Sequence, residues 1–482
     1  SYGDGLIRLN ETDRVTIDGR FNESGRYLNF SNSSTATSNA VFHIISDSYG
    51  ESAADNMIRN CIISGGSNTV TTVYGIYAGG NSIAGVEGGY GISNLSIIDN
   101  HIQRAYYGIY AEGASDLSPF SGLLISGNKI GGDNPPDYVS FRGIELYRVA
   151  GPVISGNEIY NISIATLVNN CGIWIGSNVR NALIDGNHIH HLESWNPDGW
   201  GTYGINISGA LSIENITVSN NLIHDLYTWG WGSDNIYNPF GIRIGSGTGH
   251  KILNNTVDMN GYFEFIYSSN RSAAFLVAGG GSGTEVRNNI FVNRMTGSNG
   301  SECFAIFSYS GSVFNSIDHN NYHVSGPNTM LGYLVSPIAT LAAWQAATGQ
   351  DVHSISANPL FTGTESHLQN PASPCIGSGA PVTVVTHDYS GIPRHPVYPT
   401  IGAREYVPAS YWLGNTNAWN SGSNWNRNVV PDDSYNVIIP TSPAGGNYPV
   451  VPSGVFECHS LYLESGASLN IQGQLKVINT QP

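Results

Sequence analysis

Counted from a recurring asparagine, the third residue on is Gln103, Tyr160, His190, His224 or Asp258, and the fourth is His191 or Asp225. If the copies stack in register, His190, His224 and Asp258 stand side by side. Neutral imidazoles beside a carboxylate can hold a divalent metal or act as a base near neutrality. Solvated turns that accept any polar side chain would leave the same residues, so both readings stand at this level.

A second track, Gly-Ile-x-apolar, points its x residue outward because side chains alternate along a strand. Its outward file is Tyr77, Tyr110, Glu145, Trp174, Asn206 and Arg243. A polysaccharide lyase needs a base and a cation for the uronate carboxylate, and an inverting glycoside hydrolase needs paired carboxylates roughly 6.5–9.5 Å apart. Glu145 has no carboxylate at the same offset in neighbouring copies, so the spacing does not favour an enzyme. Glu145 and Arg243 join His190, His224 and Asp258 as the catalytic candidates. Between the tracks lie aromatic loops with Trp195 and Trp200, then Trp229 and Trp231. With Trp174 these offer flat apolar faces suited to sugar rings, or rings that pack on one another.

The elements that must position these groups follow from the repeat. Ile-Ser-Gly-Asn-Lys-Ile at 125–130 returns as Ile-Ser-Gly-Asn-Glu-Ile at 154–159 and Ile-Asp-Gly-Asn-His-Ile at 184–189. Weaker copies extend the asparagine series as Asn60, Asn100, Asn128, Asn157, Asn187, Asn221, Asn255, Asn289 and Asn320. Such a fixed period means a solenoid, whose units bury their apolar faces only by stacking. Alternating apolar residues without helical periodicity select a parallel β-helix, in which the asparagines form an internal ladder.

Charged residues are 11% of the 482 and the formal net charge is −16, with Lys only at 129, 251 and 476. Phosphate neutralisation needs basic patches, so no nucleic-acid partner is expected. No run approaches the length of a membrane span, so membrane insertion is not expected either. The five cysteines follow no metal-ligand spacing and read as isolated thiols. No motif indicates a metal or other cofactor, although a divalent ion such as calcium is compatible with the carboxylates.

Residues 338–347 are the one convincing helix, with Thr340 as N-cap and Gly349 as stop. From Trp344-Gln345 through Thr348-Gly349-Gln350-Asp351 to Ile401-Gly402-Ala403, the chain resembles the terminal module of secreted right-handed parallel β-helix proteins of the pectin-lyase-like group. Val15-Thr16-Ile17-Asp18-Gly19, Ile58-Arg59-Asn60-Cys61 and the repeated Ile-Ser-Gly-Asn are similar to large Bacteroidota surface proteins exported by type IX secretion. The expected fold is all-β: a right-handed parallel β-helix over 1–406, with regular coils at about 56–325 and a terminal module at 326–406, then a small Trp-rich β module at 411–482. The resemblance implies an extracellular or cell-surface stalk or adhesin that contacts a polysaccharide or cell-surface glycan. The rivals are a lyase or hydrolase in a groove around 145–243 and a filament subunit. The start at Ser1 reads as an uncovered edge, suiting end-to-end self-association or a flanking domain, and the end at Pro482 suggests a fragment or processed form.

Overall fold

The computed structural model describes residues 5–478 except 35–36, 71–72, 167, 210–211, 233–235, 264–269, 298–301 and 364–369. The expected edge at Ser1 and the terminus at Pro482 lie outside the described residues. The chain forms a right-handed parallel β-helix. A ten-stranded parallel sheet precedes the ladder turn, from Thr16–Asp18 to Phe314–Asp318, and a 22-stranded sheet holds both the strands after the turn and the Gly-Ile strands. Inward residues stack like on like: Ile125 pairs with Ile154, Ile159 with Ile189, and Ile144 with Ile173. All six are fully buried, and each such side chain contributes about 1.5–3 kcal/mol. The invariant glycine of the Gly-Ile track has a packing cause. A Cβ on Gly143 would stand 2.6 Å from the carbonyl oxygen of Gly172 on the next coil.

The ladder is continuous from Asn100 to Asn320. Each side chain donates to the next one's Oδ1, as Asn128 to Asn157 at 2.9 Å and Asn157 to Asn187 at 2.9 Å. Each also donates to a carbonyl of the preceding coil, as Asn157 to Ile125 O at 3.0 Å. Asn60 is not a rung, contrary to the sequence reading. Ile58 registers with Ile97, so Cys61 holds the ladder position and its N–H closes the lower end on Asn100 Oδ1 at 3.0 Å. Asn60 instead occupies the left-handed position one residue earlier (φ 54°), which other coils fill with Gly127, Gly156, Asn220 or Asn254. The upper end closes on Ser354, whose hydroxyl accepts from Asn320 N–H at 2.7 Å.

The helix spans Leu341–Thr348, capped by Thr340 and stopped by Gly349 (φ 67°). Its expected first residue, Ile338, instead ends a short antiparallel strand, Ser336–Ile338. Trp344 is fully buried and closes the apolar core over Tyr322 and Phe314. Residues 350–363 and 370–406 then lie along the outside of the solenoid. Ala380 and Gly402 bond Asn288, Ala403 bonds Thr256, and His387 and Arg394 bond Asn220. This return strap covers the downstream outward residues Ile290 and Val292 with Cys375 and Ile401 and ends with Tyr389 over His188. Beyond it, parallel strands Ala409–Tyr411, Asn436–Ile439 and Ser460–Leu463 surround a core of Trp412, Trp419 and Trp425. All five cysteines are buried free thiols.

His250, fully buried in a turn, accepts from Ile216 N–H through Nδ1 at 3.3 Å and donates from Nε2 to Ser246 O at 3.2 Å. Burial holds its pKa down to about 4. The unfolded chain therefore takes up this proton near pH 6.5 and the folded chain only near 4. Stability from this group is complete above 6.5 and falls with pH, by about 3 kcal/mol once pH drops below 4. Denaturant titrations at pH 7 and pH 4 should show that much less acid destabilisation in His250→Asn, and an unchanged difference would reject the assignment.

Candidate functional site

The Gly-Ile file is in register, from Tyr77 opposite Tyr110 to Asn206 opposite Arg243. It is not an open groove floor. Tyr77, Tyr110, Glu145, Asn206 and Arg243 are all buried, and the upstream tyrosines of the file stack on one another, Tyr77 on Tyr110 at 5.2 Å. Glu145 accepts from Tyr147 OH at 2.8 Å and lies 3.8 Å from Arg142 Nε. Burial raises its pKa, and Arg142 offsets this only in part. The Arg142 guanidinium is sandwiched between Phe141 (3.9 Å) and Trp174 (4.0 Å). Arg142 Nε, Trp174 Nε1 and Asn206 Nδ2 are buried donors without a hydrogen-bond partner. Arg243 donates to Asn206 Oδ1 at 2.8 Å.

The aromatic loops divide the tryptophans. Trp200, Trp231 and Tyr237, with Asp198 and Gly199, line a pocket of about 370 Å³, and Trp231 is 42% exposed. Trp195, 45% exposed, leans on Tyr227 at 4.2 Å and borders a second pocket of about 480 Å³ with Tyr106, Tyr138 and Glu193. Trp174 and Trp229 line neither pocket: Trp174 lies beneath Arg142, and Trp229 is half-buried with its backbone oxygen bonded to Asn270.

The ladder-registered file also holds: Tyr160 pairs with His190, His190 with His224, and His224 with Asp258. Asp258 is taken by Arg294 through two bonds of 2.9 and 2.6 Å. His190 and His224 stack at 5.2 Å and gather residues that sequence reasoning missed, His188 and Glu158. His188 Nε2 lies 2.7 Å from His224 Nε2, and His224 Nδ1 lies 2.8 Å from Asp225. His190 Nδ1 lies 2.6 Å from His191 Nδ1, and His190 Nε2 lies 3.4 Å from Glu158. The His190 hydrogen bond, outweighing burial, holds the Glu158 carboxyl below its usual range. At Asp225 burial acts upward, but the His224 bond and the histidine charges lower the pKa overall. The missing pair was available to the same registration: the first residue after each ladder asparagine runs His101, Lys129, Glu158, His188.

The profile of the family described as "Right handed beta helix region" matches residues 84–291 and 143–335, together more than half of the chain. No curated protein matches. Among solved structures, the chain is similar to a periplasmic alginate epimerase (12% identity, 68% of this chain and 76% of that one, TM-score 0.34). It is also similar to the A-module of an Azotobacter vinelandii mannuronan C-5 epimerase (14%, 73% and 91%, TM-score 0.35). A third is a protein solved with xylose (11%, 80% and 66%, TM-score 0.33). Among the described residues no helix is long and apolar enough to cross a membrane.

Proposed function

This chain belongs to the right-handed β-helix family, and from that premise we propose that it is an exported, cell-surface β-helix protein whose aromatic loops bind a glycan. The observation that carries the reading is the pocket of about 370 Å³ walled by Trp200, Trp231 and Tyr237. Its size lies within the range of small-ligand sites, about 300–1,000 Å³, and its flat walls suit the apolar faces of sugar rings. Asp198 and Glu193 rim the two pockets and the net charge is −16, which favours neutral sugars over uronates. The stacked core makes the solenoid a stiff support for these loops, as a stalk or adhesin requires. Export by a type IX route in a Bacteroidota host is the source we infer from the sequence resemblance. A second reading, polysaccharide cleavage, is favoured by the unpartnered donors of Arg142, Trp174 and Asn206 beside the buried Glu145.

The test is a glycan array followed by titration calorimetry on each hit. Trp200→Ala and Trp231→Ala should each weaken binding by about tenfold or more, with Trp229→Ala unchanged. Incubating the same glycans and a uronate panel while following new reducing ends and unsaturated uronates examines cleavage. Turnover abolished by Glu145→Gln would replace the binding reading, and silence in both assays would leave a structural stalk or filament subunit.

A further inference from the structure

We propose that Asp318, His319 and His353 form a binding site for a divalent transition metal of the zinc type, at the turn where the solenoid passes into the return strap. The register brings the three together. Asp318 ends the last strand of the ten-stranded sheet, Phe314–Asp318, and His319 precedes the final ladder asparagine, Asn320. One coil on, Ser354 closes the ladder and Ile355 pairs with Asn321, so His353 registers with His319. The two rings stack at 4.7 Å. At this left-handed turn position (φ 56° at His319) other coils carry residues such as Gly186, Asn254 and Asn288, and the histidine departs from the chain's own repeat.

The departure sets two ring nitrogens on one carboxylate oxygen. His353 Nδ1 lies 2.8 Å from Asp318 Oδ2, and His319 Nδ1 lies 3.2 Å from the same atom. The second contact lacks the alignment of a hydrogen bond, so His319 Nδ1 is a buried nitrogen with no hydrogen-bond partner. The Asp318 carboxylate can only accept, which puts the His353 ring proton on Nδ1 in the metal-free chain. Ligand atoms around zinc stand roughly 3.3 Å apart, given tetrahedral bonds of about 2.0–2.1 Å. One ligand atom from each of the three residues lies within 4.8 Å of the others, so the groups are already near the spacing that an ion between them would impose.

Each group is also held in a form that a metal accepts. Asp318 Oδ1 takes the His353 backbone N–H at 2.8 Å, which fixes the carboxylate and leaves Oδ2 to the ion. Burial holds the His319 pKa below its usual value against the pull of Asp318, so the imidazole is neutral at pH 7. His353 keeps 66% of its side-chain surface, which gives an ion a route in and the ring room to turn. On binding, the ion replaces the proton on His353 Nδ1 and the imidazole carries its proton on Nε2. Two imidazoles and one carboxylate suit zinc, with a fourth position for water, and imidazole disfavours calcium and magnesium. The opposing charge is Arg287, in register with Asp318 and partly balanced by Glu285 at 3.8 Å.

The full chain, stripped with EDTA, should bind Zn²⁺ in calorimetry with a Kd of about 10 µM or tighter, and its melting temperature should rise with the ion. Calcium and magnesium should neither bind there nor compete. His319→Asn is the decisive variant, because asparagine holds the same left-handed position in other coils. Its metal-free melting temperature should match the wild type, while zinc affinity falls by about 100-fold or more and the ion no longer raises the melting point. His353→Ala should lose affinity to the same extent. His188→Ala/His190→Ala, in the separate cluster with Glu158, should leave the affinity unchanged. Nitrogen-15 NMR should find the His353 proton on Nδ1 without zinc and on Nε2 with it. No binding tighter than millimolar, binding kept within threefold in both His319→Asn and His353→Ala, or binding lost in His188→Ala/His190→Ala would overturn the proposal.

Discussion

Asn187→Ala should lower the free energy of unfolding by about 4 kcal/mol, one of the two largest single-residue effects expected in this molecule. The Asn187 side chain accepts from the backbone N–H and the amide of Asn157 at 3.0 and 2.9 Å, and donates to Asn221 Oδ1 and Ile154 O at 2.9 and 3.0 Å. Truncation leaves the Asn157 N–H without a partner where no water reaches, at about 1–3 kcal/mol, while the Ile154 carbonyl keeps only its sheet bond to the next coil. A cavity adds to that cost. Because each coil is stabilised by its neighbours, hydrogen exchange should speed most in the coils of Asn157 and Asn221 and little in the module after Tyr406. Equilibrium denaturation of Asn60→Gly is the matched comparison. Asn60 sits in the left-handed position, where glycine is at no disadvantage, so its cost should stay within about 0.5 kcal/mol. Equal losses at the two sites would show that the ladder is not what holds the coils.

Arg142→Met should cost about 3–5 kcal/mol at pH 7, because it strands the Glu145 carboxylate in a closed site. Only the Tyr147 hydroxyl would remain as its partner. The carboxyl escapes by taking up a proton, which caps the penalty and makes it depend on pH. With Arg142 gone, the folded pKa of Glu145, already raised by burial, rises further. A raised carboxyl favours the folded state most below its unfolded pKa, so stability should be lost as pH climbs through the folded value. Denaturant midpoints for Arg142→Met should therefore approach wild type at pH 5 and fall away at pH 7. Arg142→Met/Glu145→Gln should recover most of the loss at pH 7. A variant equally destabilised at both pH values would mean that Arg142 acts through its contacts with Phe141 and Trp174 rather than through charge.

The fold was legible because like residues recur at a fixed interval and stacking makes that interval a register. His190, His224 and Asp258 fall in one file in the structure as counting from the asparagines predicts. Asn60 was misplaced because two adjacent positions of the turn both accept asparagine, one for its amide and one for its tolerance of positive φ. Where they occur as a pair, as in Asn220-Asn221, the second is the rung. The Ile58–Ile97 alignment carried the correct answer. Burial of Glu145 and Arg243 could not be read the same way, since it depends on loops with no period. The return strap was invisible for a related reason: Arg394 meets Asn220 across 174 residues, and no repeat announces the pairing. Its trace in the sequence is indirect, in the change from Glu158 and His188 to Leu222, Thr256 and Ile290 along one file.

That strap also decides how the molecule carries a pull. Tension applied to the module after Tyr406 does not reach the solenoid through its last coil, where hydrogen bonds would peel open in turn. It enters through Ala403 on Thr256, Gly402 on Asn288 and Arg394 on Asn220, anchors spread over several coils that load together along the long axis. The final coils, closed by Trp344 and Ser354, lie outside the line of force, so a tug on one end is borne as shear in the middle of the rod.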